Sequence, residues 1–148
     1  VYQAREIAAR SDFLSVGSND LTQYLLAVDR NNAQVASLFN SYHPAVLQAL
    51  KIVVDSAHSE NTPVSICGEM AGEPGSAILL MAMGFDVLSM NSTNLPKIKS
   101  IIRSITLVQA QALLAKVLLL HDAKAVGDCI DNALVEFGFS SRPRSLMV

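Results

Sequence analysis

The chain has 148 residues, enough for one domain with a real core. It is 51% apolar and only 16% charged, with a net charge of −2, which excludes a disordered chain and argues against a nucleic-acid binder, since such a protein carries a basic patch and these lysines and arginines are scattered. No apolar run approaches the ~18 residues of a membrane span, and the first residues lack the basic, apolar, small order of a secretory leader, so no membrane partner is expected. Cys67 and Cys129 make no disulfide framework and suit a reducing, cytoplasmic compartment.

In chain order, V-Y-Q-A-R-E-I-A-A-R reads as helix already under way. Val1, Ile7 and Ala8 are expected to share an apolar face, with no capping residue and no initiator Met before them, so the chain is expected to be a piece of something longer. Three short apolar runs follow, each with a serine inside: F-L-S-V-G at 13–17, V-S-I-C-G at 64–68 and V-L-S-M-N at 87–91. Such runs suit strands of a parallel sheet buried on both faces.

Helical sequence follows each strand. A short helix is predicted over Asp20–Val28, capped by Asn19 or Asp20. A stronger one runs over Pro44–His58, with Pro44 in its first turn and Val46, Leu50, Val53 and Val54 at helical spacing. Pro74–Met83 is opened by proline and closed by Gly84. Leu95–Ser104 has Pro96 near its start. After residue 104 no strand pattern remains. Leu107–Leu120 and Ala123–Phe137 read as terminal helices, and S-S-R-P-R-S-L-M-V as a loose tail.

Strand alternating with helix implies an α/β fold of parallel β/α units. Chemistry in such folds sits at the C-terminal ends of the strands. Here those ends are G-S-N-D, C-G-E and N-S-T-N, all polar or glycine-rich. A closed barrel takes eight strands and about 250 residues, so three units either pair with strands outside this chain, pair between chains, or stay open.

Each candidate has a bland alternative. Asn19 and Asp20 open a helix whose free N–H groups favour phosphate or carboxylate, with Asp20 able to hold Mg2+; equally, they are ordinary caps. Arg30 can reach an anion bidentately or pair with Asp29 on the surface. Cys67 at a strand end is either a buried filler or a working thiol, which carries its proton at neutral pH and can act as an acid. His43, His58 and His121 stand at no strand end and read as structural or solvent-facing, Glu69 and Glu73 read as turn residues, and no spacing supports zinc.

Together, S-V-G-S-N-D-L-T-Q-Y-L-L-A-V-D-R, S-I-C-G-E-M-A-G and L-S-M-N resemble the phosphoenolpyruvate-utilising enzymes. The resemblance is strongest to the enzyme I type of phosphoenolpyruvate–protein phosphotransferase. The run C-G-E-M-A-G with M-G-F-D-V-L-S-M-N-S-T-N-L-P-K-I-K is most similar to the nitrogen-related branch of that phosphotransferase system. The resemblance implies that residues 1–104 are the last three β/α units of a (β/α)8 TIM barrel, with 105–148 its terminal helices and tail. It implies phosphoenolpyruvate and pyruvate as ligands, Mg2+ as cofactor, a homodimer, and a histidine phosphocarrier protein as partner of the parent enzyme. Carried onto this sequence, Asn19 would contact the substrate phosphate and help seat its carboxylate. Asp20 would bind Mg2+, Arg30 would clamp the anionic groups, and Cys67 would protonate C3 of the enolate. The alternatives are a phosphoenolpyruvate synthase or pyruvate phosphate dikinase domain, or a silent dimerisation module. The family's remaining ligands and its phospho-accepting histidine fall outside this chain, so the fragment alone is expected to be inactive or nearly so.

Overall fold

The computed structural model describes residues 1–139; the predicted tail lies outside them. Its centre is a parallel sheet of three strands, β1 (Leu14–Gly17), β2 (Val64–Cys67) and β3 (Val87–Ser89), in the order β1-β2-β3. The register sets Ser15 beside Ser65 and Gly17 beside Cys67, then Ser65 beside Val87 and Cys67 beside Ser89. All three strands therefore end at one level, and the residues after them share one rim.

Among the described residues seven α-helices accompany the sheet: α1 (Ala4–Ala8), α2 (Ser18–Leu26), α3 (Pro44–Ser59), α4 (Pro74–Met83), α5 (Leu95–Ser104), α6 (Leu107–Val117) and α7 (Ala123–Glu136). Helix α4 reads P-G-S-A-I-L-L-M-A-M, apolar all round, because it touches α3, α5, α6 and α7. From Gly75 to Met83 only Met81 escapes full burial. Gly75 permits the approach of α7: a Cβ there would lie 2.3 Å from Ile130 Cγ2. Positive φ at Gly84 (101°) ends α4 and turns the chain into β3, as the sequence predicts. The two terminal helices have local start signals. Thr106 and Gln109 form a reciprocal capping box on α6, and Asp122 accepts from the Ala125 N–H on α7. Both helices join the same core as α3 and α4.

The structure corrects several sequence-based expectations. Helix α2 starts at Ser18, with Gly17 in the cap position, so Asn19 and Asp20 lie inside the first turn and neither caps it. A left-handed Ala27 then ends the helix before Val28. Strand β3 stops at Ser89 because Asn91 turns the chain: its Oδ1 accepts from the Thr93 N–H, and its carbonyl from the Asn94 N–H. Helix α1 buries Ala4 and Ala8, while Val1 and Ile7 are exposed.

The largest correction concerns burial. The helix-facing side chains Val64 and Ile66 are buried, with Leu14, Val16 and Leu88 packed against the same core. The opposite face carries Ser15, Cys67, Val87 and Ser89, all exposed, and Phe13 just before β1 is 64% exposed. Only one face of the sheet is covered among the described residues, so these strands are not buried on both sides.

Candidate functional site

The strand ends enclose a cleft of about 450 Å3. From beyond β1 comes Asn19; from the end of β2 come Cys67, Gly68, Glu69 and Gly72; from the end of β3 come Ser89, Met90, Asn91 and Asn94. The three polar strand ends seen in the sequence thus converge on one site. Cys67 is exposed to it, a free thiol at the end of the central strand. A short 3-10 helix, Glu69–Gly72, carries the chain away beneath.

Gly68 holds the two sides of the cleft together. Its φ of 112° with ψ of −171° is a backbone region that side chains scarcely enter. A Cβ on it would also lie 2.3 Å from Ser18 Oγ and 3.5 Å from Asn19 Oδ1. The end of β2 can therefore lie against the start of α2 only if residue 68 is glycine, and this close approach places Asn19 and Cys67 in one cleft.

That junction leaves polar atoms unsatisfied. Ser18 is 1% exposed, yet its hydroxyl has no hydrogen-bond partner among the described residues, and the buried Asn19 Oδ1 has none among them either. A buried polar atom without a partner costs about 1–3 kcal/mol, and such atoms gather where a ligand completes the bonding. They stand at the N-terminus of a helix, where free backbone N–H groups favour an anion.

The other predicted residues stand apart. Asp20 is exposed in the first turn of α2, its carboxylate turned back toward Gly17, and it does not line the cleft. Arg30 is exposed in the segment after α2, outside the cleft, with its backbone N–H donating to Gln23 Oε1 at 3.4 Å. No histidine reaches the cleft. His43 caps α3, its Nδ1 accepting from the Ala45 N–H, and His58 pairs with Asp86 at 3.0 Å. His121 is exposed. Glu73 accepts from the Ser76 hydroxyl at 2.8 Å, a turn role, whereas Glu69 opens on the cleft.

Among the described residues no three His, Cys, Asp or Glu side chains gather to cage a metal. Of the hard carboxylates in this region, Glu69 lines the cleft and Asp20 stands outside it in the first turn of α2. That donor set suits Mg2+, which keeps several waters and is commonly held by one or two carboxylates plus substrate phosphate. Sequence reasoning singled out Asn19 and Cys67 but missed Ser18, Gly72, Asn91 and Asn94. The polar run N-S-T-N was the available signal for the last two.

Comparison with known proteins assigns a family. Residues 1–107 match the family described as PEP-utilising enzyme, PEP-binding domain. A protein of Salmonella typhimurium named phosphoenolpyruvate-dependent phosphotransferase system is 45% identical over 113 residues, 76% of this chain and 15% of its own length. The phosphoenolpyruvate-protein phosphotransferase of Haemophilus influenzae is 40% identical over 133 residues, 90% of this chain and 23% of its own. That of Borreliella burgdorferi is 42% identical over 113 residues, 76% of this chain and 20% of its own. The chain therefore spans less than a quarter of the length of these relatives. With the family match covering most of the chain, including all three strand ends of the cleft, the chain belongs to the PEP-binding domain family of the PEP-utilising enzymes.

Proposed function

We propose that this chain forms the substrate end of a phosphoenolpyruvate–protein phosphotransferase. The parent enzyme moves the phosphoryl group of phosphoenolpyruvate to one of its own histidines and then to a histidine phosphocarrier protein, releasing pyruvate. The observation that carries this reading is the junction of Gly68 with Ser18 and Asn19: an exposed thiol beside a helix N-terminus whose buried polar atoms lack partners. An anionic substrate can accept from the Ser18 hydroxyl and from the Asn19 carboxamide N–H, while the Asn19 Oδ1, an acceptor, calls for a donor or a cation beside it.

In this reading the α2 N–H groups and Asn19 bind the phosphate and carboxylate and neutralise their charge. Asp20 would be the residue to hold Mg2+, and the ion would supply positive charge toward the phosphoryl group. Arg30, on the segment after α2, swings in as a further anion clamp. When the phosphoryl group leaves to the acceptor histidine, its C–O–P electron pair stays on the enolate oxygen. The Cys67 Sγ–H then gives its proton to C3 as the carbonyl forms, and the thiolate regains a proton from solvent. In reverse, the thiolate takes a proton from the pyruvate methyl group.

The finer assignments follow the same reading. The exposed Phe13 and Val87 and the unpaired outer edges of β1 and β3 suit a sheet that continues into a (β/α)8 barrel, with 1–104 as its last units and 105–148 as its terminal helices. Homodimerisation and the nitrogen-related branch rest on the sequence motifs, and a cytoplasmic setting on two cysteines that make no disulfide framework. Among the described residues no helix is long and apolar enough to cross a membrane.

The test is pyruvate release from phosphoenolpyruvate with Mg2+. The intact protein is expected to turn over, and the isolated chain to be inactive or nearly so. Cys67→Ala in the intact protein should keep substrate binding and lose pyruvate formation. A Cys67→Ala enzyme making pyruvate at the normal rate would refute the acid role.

A further inference from the structure

On the far wall of the cleft, Asn94 stands at the cap position of α5, where an asparagine ordinarily accepts from the helix's own N–H groups. Here its side chain makes no capping bond. It has no hydrogen-bond partner among the described residues, and it lines the cleft with Asn19 and Cys67. Its place is prepared by Gly72, where a Cβ would lie 2.5 Å from the Asn94 carboxamide nitrogen. Gly72 lacks the positive φ that explains Gly68, so the space beside Asn94 is what a side chain at 72 would take.

We propose that Asn94 is a substrate-positioning ligand, a deeper statement of the phosphoenolpyruvate reading on which it rests. Its carboxamide N–H donates to an anionic oxygen of the substrate from the wall opposite α2. Held from both sides, the three-carbon unit presents one face of its double bond to Cys67. Gly72 fixes the direction of that carboxamide. A neutral donor serves here because the negative charge is met, in that reading, by the α2 terminus together with Mg2+ and Arg30; the added bond sets orientation.

The intact protein that carries this chain is assayed for pyruvate formation, together with Asn94→Leu, Gly72→Ala, Asn94→Ala and the double variant Gly72→Ala with Asn94→Ala. Asn94→Leu keeps the side chain's size and removes its donors. It should raise KM about tenfold, the loss expected for one bond to a charged group, with a smaller change in kcat. The only severe contact of a new Cβ at 72 is the far end of a flexible side chain. Gly72→Ala should therefore leave the melting temperature nearly unchanged yet raise KM several-fold. In the Asn94→Ala background that KM effect should vanish, because the contact is gone.

A readout that structure alone would not move is the face of protonation. Substrate stereospecifically deuterated at C3, turned over in tritiated water and trapped at once by reduction, gives a chiral methyl when protonation is one-sided. Asn94→Leu should erode that chirality. Unchanged KM and full chirality in Asn94→Leu, or a Gly72→Ala effect that persists without Asn94, would overturn the proposal while leaving the phosphoenolpyruvate reading standing. A wild-type protein that does not consume phosphoenolpyruvate would overturn both.

Discussion

The two ends of the sheet are made from the same three strands and treat their polar groups in opposite ways. At the N-terminal end the polar groups pair with one another. Asp86 Oδ2 accepts from the Val64 N–H at 2.8 Å and from His58, the Asp86 N–H donates to the Val64 carbonyl, and the Leu14 N–H to the Pro63 carbonyl. The buried Thr62 hydroxyl donates to the Ala8 carbonyl at 2.9 Å, and Arg5 pairs with Glu60. At the C-terminal end, among the described residues, Ser18 and Asn19 carry buried atoms without partners, the exposed Asn94 makes no capping bond, and the thiol is open. One end spends its polar groups on stability; the other holds them ready for a ligand. This is the division expected of parallel β/α folds, with chemistry on the side where the strands end.

The sharpest way to break the working end is Gly68→Ala. The new Cβ meets Ser18 Oγ in a backbone conformation that disfavours any side chain. Either Cys67 or the start of α2 must move, and a shift of about 1 Å in a reacting group costs about 100-fold in rate. Pyruvate formation by the intact protein should fall by about that factor, and stability by about 1–3 kcal/mol for the strained residue, read by urea denaturation. Normal turnover in Gly68→Ala would mean that the junction does not position the thiol.

Next in size is a pair of substitutions with opposite signs. Thr62→Val removes a buried donor and leaves the Ala8 carbonyl with the Ser11 N–H alone, so it should destabilise the fold by about 0.5–1.5 kcal/mol. Ser18→Ala removes an equally buried hydroxyl that has no partner, so it should be neutral or stabilise by up to about 1 kcal/mol. Its substrate affinity should fall all the same. Denaturation curves of the two variants under one condition make the test. Equal losses of stability would erase the contrast between the two ends.

Much of this was legible in the sequence, because proline and glycine punctuate it. Pro44, Pro74 and Gly84 sit where helices α3 and α4 begin and end, and the strand-end runs pointed at the rim that became the cleft. The start of α2 was not legible, since Ser18, Asn19 and Asp20 are all good caps. The choice among them is tertiary: Ser18 is drawn under Gly68, and Gly17 is left to cap. The open sheet face had a signal that was passed over. Ser15, Ser65 and Ser89 interrupt the three apolar runs, and the register puts Ser15 beside Ser65, and Ser89 beside Cys67, along one uncovered face. The polar run N-S-T-N pointed at the region of Asn94 but could not single that residue out, because its place depends on Gly72 in another unit.

The smallest expected effect tests the stable end through pH. The Val64 N–H and then His58 hold the Asp86 carboxyl below its ordinary value of 3.8, because both bonds favour the charged form. In the unfolded chain the same group takes up a proton near 3.8. Its contribution is therefore fully present above about pH 4 and is lost as pH falls through the lower folded value. Asp86 and His58 are both about two-fifths exposed, so solvent screens the pair and the contribution stays below about 1 kcal/mol. Asp86→Asn keeps an oxygen for the Val64 N–H and removes the charge. Measured from pH 6 down to pH 2, its stability should start slightly lower than wild type and fall less steeply below pH 4. Parallel curves would mean that Asp86 closes the end of the sheet by shape alone, with no help from its charge.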